Sequence, residues 1–500
     1  MKNLNKFIFG TVEKVGNALP NPAALFGLFA LITLLLSALG YWLNWHGINP
    51  STGETIRVTN LLTHDGLHRI LLEMVTNYTS FAPLGIVMVA LLGIGIAESS
   101  GLVKAAINAL ILRAPKNSIT FMVVFTGVMS NAASDLGYIL IIPLAGMIFH
   151  SLGRHPVAGM SAAFAGVSGG FSANLVIGTI DPLLAGLSTE AARIIDPEYY
   201  VMPTANYYFM AASTFLVSIF GTLVTRYIVE PRLGKYTGDV IREEIAPLSA
   251  REIKGLKWAG VTVFTFMVLM AWELIPENGF LRGQDGTVLH SPVLKGFISV
   301  LFIMAAVSGI VFGYVSGTFK KHDDVIAGMN SSFKSLVSFL VLVFFAAQFV
   351  AWFKWSNLGL LIAVKGADIL QSADIGLIPL VILFVILSGF INLFMGSASA
   401  KWAIMGPVFI PMFMLLGYSP ELSQAVFRIG DSVTNVISPM MSFFALIIVY
   451  YQKYEPKAGL GTLIATMLPY SVTFFLAWTA LLIIWILFGL PLGPEAGLYY

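Results

Sequence analysis

Apolar residues run in long stretches along most of this 500-residue chain, separated by short polar punctuation. A helix needs about 20 such residues to cross the hydrocarbon core of a bilayer. Nine stretches fit: roughly 23–46, 80–97, 156–185, 204–230, 257–276, 294–317, 334–353, 420–450 and 460–489. Two further blocks, 118–151 and 376–416, are about twice that length and are interrupted centrally by SNAASD and by MGSASAK. Such tips make poor lipid-exposed turns but suit an internal polar cavity. The pattern therefore predicts an all-α polytopic membrane protein with nine transmembrane helices and two re-entrant hairpins. Residues 47–79 and 277–292 read as outer loops, and residues 101–113 as a short interfacial helix.

The interrupted blocks open two related units. Sliding Ser130–Pro182 along the chain by 264 positions brings Pro143 onto Pro407, Leu152-Gly153 onto Leu416-Gly417 and Pro156 onto Pro420. Gly166 then meets Gly430, Ser168 meets Ser432, and a later three-residue gap pairs Asn174 with Asn435. An ordered run of matches inside two similarly punctuated segments reads as a duplicated unit. Within a single integral membrane domain spanning 1–500, residues 118–185 form the first unit and residues 376–450 the second. Lys and Arg between 226 and 257, and Lys320, Lys321 and Lys334, mark cytoplasmic loops, whereas the acid-leaning loop 186–202 reads as external. With Lys2, Lys6 and Lys14 placing the N-terminus inside, the units enter from opposite faces and the C-terminus lies outside. That is an inverted-topology repeat, the architecture of many secondary transporters.

Composition narrows the function. Hydrophobic residues make up 57% of the chain and charged residues 11%, and a net charge of +2 argues against nucleic acid. The absence of cysteine excludes disulfides, thiol catalysis and Cys-ligated zinc. No GxxxxGK[ST] loop, nucleophile elbow or HExxH pair is present, so neither an ATP-driven pump nor an enzyme is expected. His64 and His68 have metal-like spacing but no third ligand, and no metal or other cofactor is expected. An ion channel is the alternative from another class. It needs a continuous pore with several weak sites, whereas paired breaks favour one occluded site.

Several residues carry the candidate chemistry. Ser130, Asn131 and Asp135 at the first tip, with Ser397 at the second, could offer oxygens to a coupling ion, H+ or Na+; so could Asn174. Small tip residues also allow close helix packing, but Asp135 and Lys401 are costly at that depth. The runs SGGFSANLVIGTIDP and GDSVTNVISP should unwind a helix at mid-membrane, freeing amides and carbonyls around Asn174 and Asn435. Arg428 and Asp431 stand three apart on one helical face. They can neutralise each other, or Arg428 can hold a substrate carboxylate while Asp431 takes a proton or cation. Lys401 is a second cation for a carboxylate. Asp181, close to its helix end, can act in the site or reach water. Trp402 and Tyr138 can stack on an aromatic ring or fill space, with Trp402 the stronger candidate.

These residues lie in stretches that resemble a known family. GRHPVAGMSAAFAGVSGGFSANLVIGTIDPLLAGLSTEAA, FRIGDS, PMFMLLG and KWSNLGLLIAVKGADIL resemble the AbgT family of transporters, as do GTVEKVGNALPNP near the start and GLPLGP near the end. The family is named for uptake of p-aminobenzoyl-glutamate, an aromatic dicarboxylate. The resemblance implies a homodimer in the bacterial inner membrane, with nine spans and two opposed hairpins per protomer. It also implies functional roles for Asp181, Ser399, Trp402, Pro420, Arg428, Asp431 and Pro439, and less directly Asn392. Ion-driven symport of p-aminobenzoyl-glutamate is the expected activity. Proton-driven export of sulfonamide antimetabolites, a route to antibiotic resistance, is the alternative within the family.

Overall fold

A computed structural model describes residues 22–48, 55–112, 115, 118–133, 137–238, 240, 248–284, 286, 288, 291–441 and 443–500. Its helices are α1 Pro22–Trp42, α2 His64–Thr79, α3 Ala82–Ser99, α4 Leu102–Leu112, α5 Ile119–Met129, α6 Ile142–Ser151, α7 Pro156–Phe164, α8 Ile180–Ala192 and α9 Tyr207–Val224. They continue with α10 Ala250–Leu274, α11 Phe297–Ser316, α12 His322–Trp355, α13 Leu358–Ser372, α14 Leu377–Asn392, α15 Ala398–Leu415, α16 Pro420–Asn435, α17 Phe444–Gln452 and α18 Leu460–Leu487. A small antiparallel hairpin pairs His46–Ile48 with Thr55–Arg57.

Seven described helical segments are long and apolar enough to cross a bilayer, and an eighth results if the bent pair Phe339–Trp355 and Leu358–Ser372 is one span. The stretches 156–185 and 420–450 are each two shorter helices flanking an unwound segment, whose described residues are 170–179 in the first and 436–441 with 443 in the second. Some boundaries differ from expectation. Residues 47–79 contain the hairpin and α2. The loop expected at 186–202 begins later, because α8 continues to Ala192 with nearly every residue buried. The span expected at 334–353 is part of a 34-residue helix, and α13 follows it after a 69° bend. The lysines at 2, 6, 14 and 116, with Ser134, Asp135 and Arg242, lie outside the described residues.

The helices sort into two packed groups. In one, α1, α2 and α3 pack on α12, and α11 packs between α3 and α10. These helices keep apolar faces outward: only 11% of the α10 span is buried, against 72% for α15. The other group holds α5–α9 and α14–α18, and α8 links the two by meeting α3.

Both units have the same order of elements: helix, interrupted tip, helix, tight turn, helix, unwound segment, helix. Identical local devices make the turns. Gly153 (φ 74°) and Gly417 (φ 84°) take the left-handed conformation that lets the chain reverse. Pro156 and Pro420 then start α7 and α16, where a missing N–H costs nothing. Close crossings use the aligned glycines. A Cβ at Gly166 would lie 2.3 Å from the Val124 carbonyl, and one at Gly430 would lie 2.4 Å from the Val385 carbonyl. Each tip presses on its own unit's unwound segment, Asn131 against Gly178 and Gly396 against Met440.

Candidate functional site

The site is built along α16. Glu421, Gln424, Arg428, Asp431 and Asn435 recur every three or four residues and so form one polar stripe, yet all five are buried. A buried polar group is costly unless it is hydrogen-bonded, so neighbouring helices must supply partners. They do so at every level. Glu421 accepts from the Tyr199 hydroxyl at 3.0 Å. Gln424 accepts from Ser188 of α8 at 2.7 Å and donates to Asn206 at 2.8 Å. Arg428 donates to Asp181 Oδ1 at 2.5 Å. Asp431 Oδ1 pairs with Lys401 Nζ from α15. Asn435 Oδ1 accepts from Asn392 Nδ2 of α14 at 2.8 Å.

The pairing removes one of the two readings of Arg428 and Asp431. The two do not neutralise each other. Each is matched by an opposite charge from another helix, giving two pairs that together carry no net charge. Asp181 does not snorkel to water; it is 1% exposed in the first turn of α8. Its Oδ2 accepts the Gly178 N–H at 2.7 Å, so the carboxylate also ties the end of the unwound segment to the helix start. Asn392 gathers the other pair: Nδ2 donates to the Asp431 carbonyl at 2.7 Å and to Thr434 Oγ1 at 2.8 Å, and Oδ1 accepts from Lys401.

A cavity of about 240 Å³ opens beside this stripe. Asp431, Asn435, Ser397 and Ser399 give it a polar side, and Tyr138, Phe171 and Phe443 an aromatic side. Tyr138 and Phe443 stack in parallel with centroids 4.5 Å apart. Asp431 Oδ2 has no hydrogen-bond partner among the described residues. Ser397 Oγ lies 3.2 Å from Ser399 Oγ, and it caps α15 by accepting from Ala400 N at 3.4 Å. Carboxylate, amide, hydroxyls and a stacked aromatic wall together suit a small aromatic ligand with polar ends.

Trp402 lies elsewhere. It is fully buried, stacks on Phe427 with centroids 4.5 Å apart, and donates Nε1–H to Ser188 at 2.8 Å. Here it fills the α8–α15–α16 junction, and the rings facing the cavity are Tyr138, Phe171 and Phe443. Pro420 starts α16 at the tight turn, remote from the cavity lining, and Pro439 follows Ser438, whose hydroxyl bonds the Asn392 carbonyl at 2.9 Å.

The first unit's tip and break residues bond mainly to backbone. Ser130 donates to Gly127 O at 2.6 Å, a bond within its own turn. Asn131 Nδ2 reaches Val128 O at 3.1 Å and Gly170 O at 3.3 Å, bracing the tip against the unwound segment. Asn174 Oδ1 accepts from Val176 N at 3.1 Å and so shapes that segment. Asn131 Oδ1 and Asn174 Nδ2 are buried without partners among the described residues. His64 and His68 lie on α2 with ring centroids 3.9 Å apart and planes tilted by 44°, and no group of three metal-ligating side chains occurs among the described residues.

Sequence reasoning missed Ser188, Asn206, Gln424 and Glu421. For Glu421 and Gln424 the signal is the three-and-four spacing of polar residues through Pro420–Asn435; no local pattern marks Ser188 or Asn206.

Comparison with known proteins agrees along the whole chain. The family model described as "AbgT putative transporter family" matches residues 7–500. The p-aminobenzoyl-glutamate transport protein of Escherichia coli (strain K12) is 39% identical over 493 residues, covering 98% of this chain and 96% of the relative. The YdaH transporter of Alcanivorax borkumensis, solved by crystallography, is 48% identical with a TM-score of 0.91, covering 95% of this chain and 100% of its own. MtrF of Neisseria gonorrhoeae, whose structure illuminates a class of antimetabolite efflux pumps, is 49% identical with a TM-score of 0.92, covering 98% of this chain and 100% of its own.

Proposed function

The chain belongs to the AbgT family of transporters, and from that premise we propose that it is a secondary active transporter of p-aminobenzoyl-glutamate, driven by an ion gradient. The observation that carries this reading is the 39% identity, over 98% of the chain, to the E. coli p-aminobenzoyl-glutamate transport protein. The cavity chemistry supports it. A benzoyl ring matches the wall of Tyr138, Phe171 and Phe443, and the amide matches the hydroxyls and amides of Ser397, Ser399 and Asn435. Lys401 and Arg428, each beside an exchangeable acidic partner, match the substrate carboxylates. The protein acts as a homodimer in the bacterial inner membrane, with its N-terminus cytoplasmic, its C-terminus external and the two units inserted from opposite faces. Either H+ or Na+ drives it.

Export of sulfonamide antimetabolites is a second reading, favoured by the 49% identity to MtrF over 98% of the chain. Proteoliposomes separate the two. Radiolabelled p-aminobenzoyl-glutamate should accumulate inside under an imposed H+ or Na+ gradient. No accumulation under either gradient, with outward movement of sulfapyridine, overturns uptake in favour of export.

A further inference from the structure

The outer half of α16 carries polar rungs that do not line the cavity. Asp181 meets Arg428 next to Ile180, which does line it. Ser188, two turns further along α8, meets Gln424, one turn nearer the start of α16. The two helices therefore run antiparallel, from the cavity to the loop 193–206, where Tyr199 and Asn206 cap the stripe by bonding Glu421 and Gln424. The middle rung is one directed chain of hydrogen bonds. Trp402 Nε1–H of the second hairpin donates to Ser188 at 2.8 Å, and the Ser188 hydroxyl donates to Gln424 Oε1 at 2.7 Å. Gln424 Nε2 donates to Asn206 Oδ1 at 2.8 Å, and Asn206 Nδ2 donates to the Glu421 carbonyl at 2.9 Å. The chain joins α15, α8, α16 and the start of α9 without using a charge.

Packing alone does not call for this chain. At the 264-residue offset, Glu421, Gln424 and Arg428 correspond to Val157, Met160 and Phe164 of α7. Those three are fully buried, and so are Ser188, Gln424 and Asn206 to within 1%. The same helix position thus closes with apolar side chains in one unit and with amides and a hydroxyl in the other. The two kinds of layer differ in how they meet water. An apolar layer resists hydration, whereas a paired amide exchanges an internal hydrogen bond for one to water at little net cost. Buried polar side chains at membrane depth belong beside a path that is wet in another state.

We propose that the Ser188–Gln424–Asn206 layer is the external gate of the transport route. In this structure it seals the cavity from the outer face; when α15 parts from α8, the same three side chains line a hydrated path to the cavity. They are positioning residues and do not bind the substrate. Paired, they hold the second hairpin on α8 through Trp402. Opening breaks the Trp402–Ser188 and Gln424–Asn206 bonds and leaves every helix intact. The inference rests on the orientation proposed above, with the loop 193–206 external.

The test is accessibility to water from each side. The chain contains no cysteine, so a single introduced thiol reports without further changes. Ser188→Cys is exposed to a membrane-impermeant methanethiosulfonate in right-side-out and in inside-out vesicles, and labelling is followed by mass. Gln424→Cys repeats the measurement from the facing helix and decides it if Ser188→Cys does not fold. Ser213→Cys is the control: Ser213 of α9 is equally buried and accepts from Trp478 Nε1–H at 2.7 Å, but at the α9–α18 interface. The gate thiols should label from outside at least tenfold faster than Ser213→Cys. Labelling only in inside-out vesicles, or labelling as slow as the control in both, overturns the gate. Gln424→Met, which copies Met160 into the aligned position, should keep the layer dry. It should lower the Vmax of p-aminobenzoyl-glutamate uptake at least tenfold at a KM within twofold of the wild type. An unchanged Vmax also overturns the gate. Labelling needs no substrate, so its outcome is independent of which molecule is carried.

Discussion

Gly137 and Val167 stand in the first unit where Lys401 and Asp431 stand in the second, and Phe164 stands where Arg428 does. The turns, the glycine crossings and the unwound segments are shared; the charges are not. The first unit closes its junction with van der Waals contacts, for which volume and shape suffice. The second closes it with the buried Lys401–Asp431 pair and a chain of amides, and its Arg428 reaches across to Asp181 of the first unit, each group needing a partner from another helix. Polar groups at that depth are retained where a ligand or ion uses them. The difference therefore separates what the scaffold needs from what transport needs.

Breaking the shared scaffold should have the largest effect. Gly166→Val and Gly430→Val each force side-chain atoms into a backbone carbonyl of the crossing helix, and both should abolish monodisperse protein on fluorescence-detected size exclusion. Well-folded protein from either variant would show that the crossing is loose. Next comes the ion pair that joins the second unit's Arg428 to the first unit's Asp181. Arg428→Ala leaves Asp181 buried and unpaired, which should cost about 3–5 kcal/mol and abolish uptake. Adding Asp181→Asn should restore most of the thermal stability without restoring uptake. Recovery of transport in that double variant would reduce the pair to a structural brace.

The two aromatic sets offer a finer contrast. Trp402→Phe removes one hydrogen bond, to Ser188, and should cost about 1 kcal/mol of stability with little change in apparent KM. Phe443→Ala, which strips the cavity wall, should raise KM at least tenfold while leaving stability nearer the wild type. The reverse ranking in transport assays would return Trp402 to the binding site. The smallest effect concerns the two turns. Ser419 caps α16 with its hydroxyl, whereas His155 starts α7 without a side-chain cap. Burial holds the His155 imidazole below its ordinary pKa, against a weaker opposing pull from Glu230. The unfolded chain then binds more protons than the folded one as pH falls through about 6.5, so stability drops on acidification. Thermal unfolding between pH 7.5 and 5.5 should flatten in His155→Asn, and an unchanged slope would assign the acid sensitivity elsewhere.

Much of this organisation was legible in the sequence, for identifiable reasons. Apolar run length marked the helices because a bilayer imposes it. Gly-Gly, Asn and Pro clusters marked the unwound segments because they lack the hydrogen bonds and conformational preference of a helix. Buried charge marked Asp181, Arg428 and Asp431 as unusual. Partner choice was not legible, because Arg428 lies three residues from Asp431 in sequence but bonds Asp181, 247 positions away. A short-range rule could suggest only the local pair. The choice between stacking on a substrate and filling space is open for Trp402 for the same reason: nothing local indicates that Phe427 already covers its face. The aromatic wall itself is assembled by Phe171 and Phe443, one from each unit's unwound segment, and only the tertiary fold brings them together.

The most direct measurement converts the second unit's junction into the first unit's. Lys401→Gly with Asp431→Val and Asn392→Val copies Gly137, Val167 and Val128 into the aligned positions, and the variant is assayed for thermal stability and for p-aminobenzoyl-glutamate uptake in proteoliposomes. The account predicts a protein that folds with a melting temperature close to the wild type and transports nothing. Uptake at the wild-type rate would contradict it, as would a chain that fails to fold, since the scaffold would then depend on the charges after all.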